Sequence, residues 1–213
     1  MTAINPQEFA QILLSGDQDK AFDAIVKGRP MKIIDICEKI ITPALRHIGL
    51  LWEQNKISVA DEHVATAICD YILTRFHPDQ LQKNEKKALV LCLEGENHYI
   101  GAKMASLLFV ENGWKTRYMG PNMPINYLLD YANQLEPDVI CLSVTMAYHL
   151  PSLPSYISSL SLLPSTPSII IGGRLSHMLD LNGYGLEPGH VVEDLYQLEE
   201  WISNQTAGVR LNV

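Results

Sequence analysis

The sequence predicts an N-terminal all-α bundle of the four-helix type followed by a doubly wound, flavodoxin-like α/β domain with a five-stranded parallel sheet. Three observations predict it. Over roughly the first 80 residues, apolar positions recur at threes and fours, the helical period. From Lys86 onward, short β-rich runs alternate with amphipathic stretches, which is the pattern of crossover units and a sheet covered on both faces. Between the two lies HPDQLQKNEKK, His77 to Lys87, polar and charged enough to read as a linker. The expected domains are 1–80 and 86–213.

In the first part, Phe9, Ile12 and Leu13 lead into Phe22, Ile25 and Val26, then a long run from Ile33 through Cys37, Ile40, Ile41, Leu45 and Ile48 to Leu51. Pro43 lies inside that run, and a proline removes one helix hydrogen bond and crowds the preceding turn, so a kink or break is expected there. Ser58 followed by Asp61 is a capping-box pattern opening a helix continued by Val64, Ile68, Ile72 and Phe76, with Pro78 as its stop. In the second part the expected strands are Ala88–Leu93, Thr116–Met119, Val139–Val144 and Ser168–Ile171, with a last one at His190–Val192. Helices are expected near 100–112, 124–135 and 148–162, and through Leu195, Leu198 and Trp201.

Composition narrows the function. The 213 residues are 47% hydrophobic and 19% charged, a globular balance. Sixteen Lys+Arg against 24 Asp+Glu leave a net charge of −8, which argues against a phosphate-neutralising nucleic-acid surface. No apolar run is long enough for a bilayer span, and MTAINPQEFAQILLSGDQDK has no basic segment followed by an apolar one. Cys37, Cys69, Cys92 and Cys141 are scattered through apolar segments without CxxC spacing and read as reduced core residues. A cytoplasmic protein is expected.

Ligands of open α/β sheets bind beyond the carboxyl ends of the strands. The first such loop here, Glu94-Gly95-Glu96-Asn97-His98-Tyr99-Ile100-Gly101, is neither a dinucleotide loop nor a phosphate loop. It sets a histidine at a strand end with a carboxylate two residues before it. A carboxylate on one ring nitrogen fixes the tautomer and strengthens the other nitrogen as a metal donor, although the same pair also occurs simply solvated. Gly101 leaves room for close approach at the start of the next helix.

Glu96-x-His98-x-x-Gly101 resembles the DxHxxG signature of cobalamin-binding domains. That family's SxL motif, at the end of the third strand, corresponds to Ser143-Val144-Thr145, and its glycine pair after the fourth strand to Gly172-Gly173. The resemblance implies that His98 is the lower axial ligand of cobalt, replacing the cofactor's own base. It also implies that the displaced nucleotide tail runs beside Ser143, Thr145 and the two glycines. Glu96 stands where Asp is commoner, and Thr145 stands in place of Leu.

A second resemblance covers the bundle. Trp52, Val59, Glu62 and His63, the last three sharing one helix face, match the Trp-x9-Glu-His pattern of light-sensing cobalamin domains of the CarH and AerR type. There, the bundle caps the upper face of adenosylcobalamin and these residues surround the adenosyl group. Asn55 stands where relatives often have glycine. Glu53 follows the tryptophan where CarH-type proteins have a histidine, and no helix-turn-helix is expected before the bundle.

The resemblance implies a stand-alone, non-enzymatic photosensory module that binds adenosylcobalamin (methylcobalamin or hydroxocobalamin being the other candidate forms). It would signal to a protein partner, a transcriptional regulator or signalling protein, without touching DNA or membrane; homo-oligomerisation is open. Two other readings stand beside it: a corrinoid methyl carrier of a methyltransferase system, and a related sensor binding haem or a bilin. The remaining histidines, His47, His77, His149, His177 and His190, read mostly as surface residues, with His149 and His177 near the expected cofactor edge, where contact with the cofactor's propionamide side chains is an open reading that no motif supports.

Overall fold

The computed structural model describes residues 4–27, 31–76, 84–175 and 191–207. The chain divides into two units, Met1–Pro78 and Asp79–Val213.

The first unit is helical: α1 (Pro6–Leu14), α2 (Gln18–Val26), α3 (Ile33–Ile36), a π-helical turn (Cys37–Ile41), α4 (Thr42–Glu53) and α5 (Val59–Arg75). Asn5 and Asp17 cap α1 and α2, their side chains accepting from the N–H groups of Gln7 and Lys20. The expected disturbance at Pro43 takes a definite form. The helix does not break; it widens into the π turn just before the proline, and the Thr42 N–H donates to the Cys37 carbonyl. One inserted residue absorbs the missing proline donor and the clash of its ring. The capping box forms as expected, with Asp61 Oδ2 accepting from the Ser58 N–H at 2.8 Å and the Ser58 hydroxyl receiving the Asp61 N–H at 3.2 Å.

The buried stripe of α5 is Ala65, Ile68, Cys69, Ile72 and Leu73. Val64 and Val26, expected on apolar helix faces, are both exposed. Helix α5 closes at Arg75 with Phe76 as its C-cap; Pro78, the expected stop, lies outside the described residues.

The second unit is a parallel sheet of β1 (Lys87–Leu93), β2 (Lys115–Met123), β3 (Val139–Ser143) and β4 (Ser168–Gly172), in the order β2-β1-β3-β4. Between the strands run α6 (Ile100–Glu111), α7 (Ile125–Leu135), a 3₁₀ turn (Ala147–Ser152) and α8 (Leu153–Ser161), and α9 (Leu195–Ala207) follows. Alternation along the strands sends Leu89, Leu91, Leu93, Ile140, Leu142, Ile169 and Ile171 to one face, packed on Leu128, Ala132, Leu153, Tyr156, Ile157 and Leu160 of α7 and α8. Ala88, Val90, Cys92, Cys141 and Ile170 turn to the other face and are buried. All four cysteines are buried and outside any disulfide, and burial pushes the thiols of Cys69, Cys92 and Cys141 up to about 12.

Two strand expectations change. The edge strand β2 runs on to Met123, past Gly120 and Pro121, because register shifts against β1 let the ribbon bulge where proline cannot donate. The fifth strand is reduced, among the described residues, to a single parallel bridge between Ile171 and Val191; His190 lies outside them. No helix among the described residues is long and apolar enough to cross a membrane.

Candidate functional site

The strand order places β1 and β3 side by side with their connections leaving in opposite directions, the point where an α/β sheet opens a crevice at its carboxyl edge. Register aligns the motif residues there: Cys92 pairs with Ser143, and Ser143 with Gly172, so three segments far apart in sequence end in one row.

Glu96 organises this edge. Its carboxylate is fully buried and accepts four hydrogen bonds. Oε1 receives the His98 backbone N–H at 3.0 Å and lies 2.6 Å from the His98 Nδ1. Oε2 receives the N–H groups of Thr145 and Met146, each at 2.9 Å. Burial alone would raise this carboxyl, but the donors from His98, Thr145 and Met146 outweigh it and hold it below the usual glutamate range. The Glu96 carboxylate can accept only from an Nδ1–H, and in the neutral tautomer that makes this bond the lone pair lies on Nε2 of a half-exposed ring.

The loop carrying this pair is clamped on its other side. The Tyr156 hydroxyl accepts the Glu94 N–H at 3.1 Å and donates to the Met123 carbonyl at 2.6 Å, its burial raising its pKa. Asn122 Oδ1 accepts the Gly95 N–H at 2.7 Å, while the Asn122 N–H donates to the Glu96 carbonyl at 3.0 Å. Sequence reasoning missed Asn122, Tyr156 and Met146, since nothing in a local motif points to partners so far along the chain. His149, read as a surface residue near the cofactor edge, is instead buried: it is only 8% exposed and packs against Gly95, where a β-carbon would lie 2.9 Å from the His149 Cε1. The 3₁₀ turn after β3 folds it inward. His47 is half-buried on α4; His77, His177 and His190 lie outside the described residues.

The glycines divide by cause. At Gly173, with φ +119°, a β-carbon would sit 2.2 Å from the Val144 carbonyl oxygen, so glycine there is required by the fold itself. At Gly172 it would meet Val192 at 3.3 Å. At Gly101 it would meet nothing within 4 Å, so this chain's own packing does not call for glycine near the start of α6, where alanine is favoured by about 1 kcal/mol. A planar group resting on that spot would call for it.

The second cluster belongs to the helical unit. Trp52 lies in the last turn of α4 and is 47% exposed, and Val59 opens α5 and is exposed too. Asn55 turns the chain between them at φ 55°, the left-handed conformation for which asparagine substitutes for glycine. His63 Nδ1 lies 2.9 Å from the Val59 carbonyl and 3.0 Å from Glu62 Oε2, while Glu62 Oε1 accepts from the Thr66 hydroxyl at 3.0 Å.

Among the described residues no three His, Cys, Asp or Glu side chains gather into a metal cage. One oriented imidazole, as His98 offers, is the donor needed by a metal whose other ligands come from a macrocycle. Two family models match the chain, both described as B12 binding domain, over residues 7–76 and 86–182. The chain is a B12-binding domain protein.

Among its relatives, the HTH-type transcriptional repressor CarA of Myxococcus xanthus is 23% identical over 82% of this chain, which spans 60% of CarA's length. Dimethylamine corrinoid protein 3 of Methanosarcina acetivorans is 24% identical over 78% of this chain and 81% of its own. In fold, the B12-binding chain resembles the monomethylamine corrinoid protein of Methanosarcina barkeri, with a TM-score of 0.68 at 15% identity over 91% of this chain and 94% of the other.

Proposed function

We propose that this B12-binding protein is a photosensory regulatory module that takes adenosylcobalamin with His98 as the lower axial ligand of cobalt. It would pass the signal to a protein partner, a transcriptional regulator or signalling protein. The observation that carries the corrinoid part is the buried Glu96 carboxylate holding Nδ1 of His98 at 2.6 Å. The ring's free nitrogen is thereby a stronger donor before any ligand arrives. Ser143 and Gly172, in register beside it, would flank the nucleotide tail, with Thr145 and Gly173 completing the edge.

The choice of adenosylcobalamin rests on the helical cluster. Trp52 and Val59 offer apolar surface, and Glu62 with His63 offers hydrogen-bonding groups, together suited to a nucleoside that is flat on one side and polar at its rim. When bound, this cofactor supplies a cobalt–carbon bond that light can break. The residues named here bind and orient, and none needs to act as acid, base or nucleophile; the reading is of a non-enzyme. The kinship with the CarA repressor is in keeping with a regulatory role.

The second reading, a corrinoid methyl carrier, is favoured by the dimethylamine corrinoid protein, of whose length this chain spans 81%. One experiment separates the two. Protein reconstituted with adenosylcobalamin in darkness should show a lower-ligand-bound visible spectrum that changes on green illumination. It should also bind adenosylcobalamin more tightly than methylcobalamin. A light-stable spectrum with equal affinity for both forms would make the carrier the better account. Failure to bind any cobalamin while taking up haem or a bilin would point to the third reading.

A further inference from the structure

The 3₁₀ turn after β3 carries a group that neither the fold nor the lower-ligand pair uses. His149 is 8% exposed, and its Nε2 is fully buried with no hydrogen-bond partner among the described residues. Its ring is not loosely placed. It lies over Gly95, one residue before Glu96, and sits tilted at 57° against the Tyr148 ring with centroids 4.3 Å apart. The turn is tied down by the His149 N–H on the Met146 carbonyl at 3.0 Å and by the Ser152 hydroxyl on the His149 carbonyl at 2.7 Å. Met146, three residues before, is one of the donors to Glu96. His149 is thus held at the same strand edge as the His98 loop, in a rotamer that buries a polar nitrogen for no internal gain. Leaving such an atom unsatisfied is destabilising, and buried polar atoms in native proteins are rarely left so.

We infer that His149 is a binding residue for the corrinoid periphery, its Nε2 pairing with one of the ligand's side-chain carboxamides. The inference rests on the corrinoid reading above. A primary amide is the fitting partner because it carries both a donor and an acceptor, and so satisfies Nε2 in either tautomer. Gly95 is glycine because the ring occupies the place of its β-carbon, at a φ of +82° that glycine adopts freely. The loop of His98 and the ring of His149 therefore set each other's position, and a ligand that engages one meets the other.

The test uses the full chain, hydroxocobalamin as the probe, visible-spectrum titration for affinity and thermal unfolding of the ligand-free protein for stability. His149→Leu removes the nitrogen but keeps an apolar filling. It should weaken hydroxocobalamin binding by about 10-fold or more while leaving the ligand-free protein as stable as wild type, or raising its Tm by roughly 2–4 °C. His149→Gln, whose amide nitrogen reaches the place of Nε2, should bind within about threefold of wild type, and His149→Asn, which reaches only the place of Nδ1, should not. Wild-type affinity in His149→Leu would overturn the inference, since the buried nitrogen would then be served by water. Equal losses of affinity and Tm in all three variants would overturn it as well, because the ring would be merely structural. If wild type itself takes no hydroxocobalamin, the corrinoid reading fails and the inference with it; if wild type binds and only His98→Ala loses affinity, the corrinoid reading stands and this inference falls.

Discussion

Glu96 with His98 in the α/β unit and Glu62 with His63 in the helical unit are the same two side chains used in opposite ways. Glu96 is fully buried, sits 2.6 Å from its histidine, and is bound by N–H groups 49 and 50 residues further along the chain. Glu62 is partly exposed, sits 3.0 Å from a largely exposed histidine, and bonds to Thr66 of its own helix. The first couple is imposed by tertiary structure and cannot be repositioned without undoing the β1 and β3 strand ends. The second is local to one helix: Glu62 and His63 are neighbours in the chain, each also tied four residues away, to Thr66 and to the Val59 carbonyl, and the pair can rearrange at little cost. A site that must present one fixed donor nitrogen needs the first kind of construction. A surface that responds to a changed ligand is better served by the second.

Substitutions sharpen this contrast, beginning where the tertiary frame is tightest. Gly173→Ala drives a β-carbon into the Val144 carbonyl, so unfolding measurements should show a loss of at least about 3 kcal/mol, or no soluble protein. Ser143→Ala, in the same row but without that clash, should fold normally.

His98→Ala should weaken cobalamin binding by two orders of magnitude or more and return any residual cobalamin to a spectrum without protein imidazole. Unchanged coordination would break the assignment of the lower ligand.

Glu96→Gln should be milder in binding, about 10- to 100-fold, as expected for a group that orients a metal ligand. Its effect on stability has a definite sign. Because the folded pKa of Glu96 lies below its unfolded value, its contribution is complete above roughly pH 5–6 and lost as pH falls through that depressed value. The urea midpoint of wild type should therefore fall more steeply on acidification than that of Glu96→Gln. At neutral pH the variant should be less stable, since its amide places a donor against the N–H groups of Thr145 or His98.

The smallest effects are expected in the helical cluster. Trp52→Ala should change stability by less than about 1 kcal/mol, yet erase the preference for adenosylcobalamin over methylcobalamin. A large stability loss would show Trp52 to be a packing residue. With a net charge of −8, the protein should also fail to shift duplex DNA at moderate salt, dark or lit; tight, salt-sensitive binding would refute signalling through a protein partner.

Much of this was legible in the sequence because it depends on neighbours in the chain. The Ser58 capping box, the left-handed Asn55, the turn forced by Pro43 and the alternation of β1 all follow from residues within a few positions of one another. So does the Glu96–His98 pair, whose spacing alone brings ring and carboxylate together. What only the tertiary structure decided are the bonds that cross from one strand end to another. Thr145 contributes its backbone N–H to Glu96 whatever its side chain is, which is why its departure from leucine leaves that bond intact. Asn122 and Tyr156 hold the loop from β2 and α8, Gly173 is glycine because a carbonyl at the end of the neighbouring strand presses on it, and His149 is buried by a turn whose composition looks solvent-facing. Periodicity records which side of an element is apolar; it carries no record of which distant donor will satisfy a buried carboxylate. Such donors lie on the backbone, where every residue but proline looks alike, and register alone brings them into place.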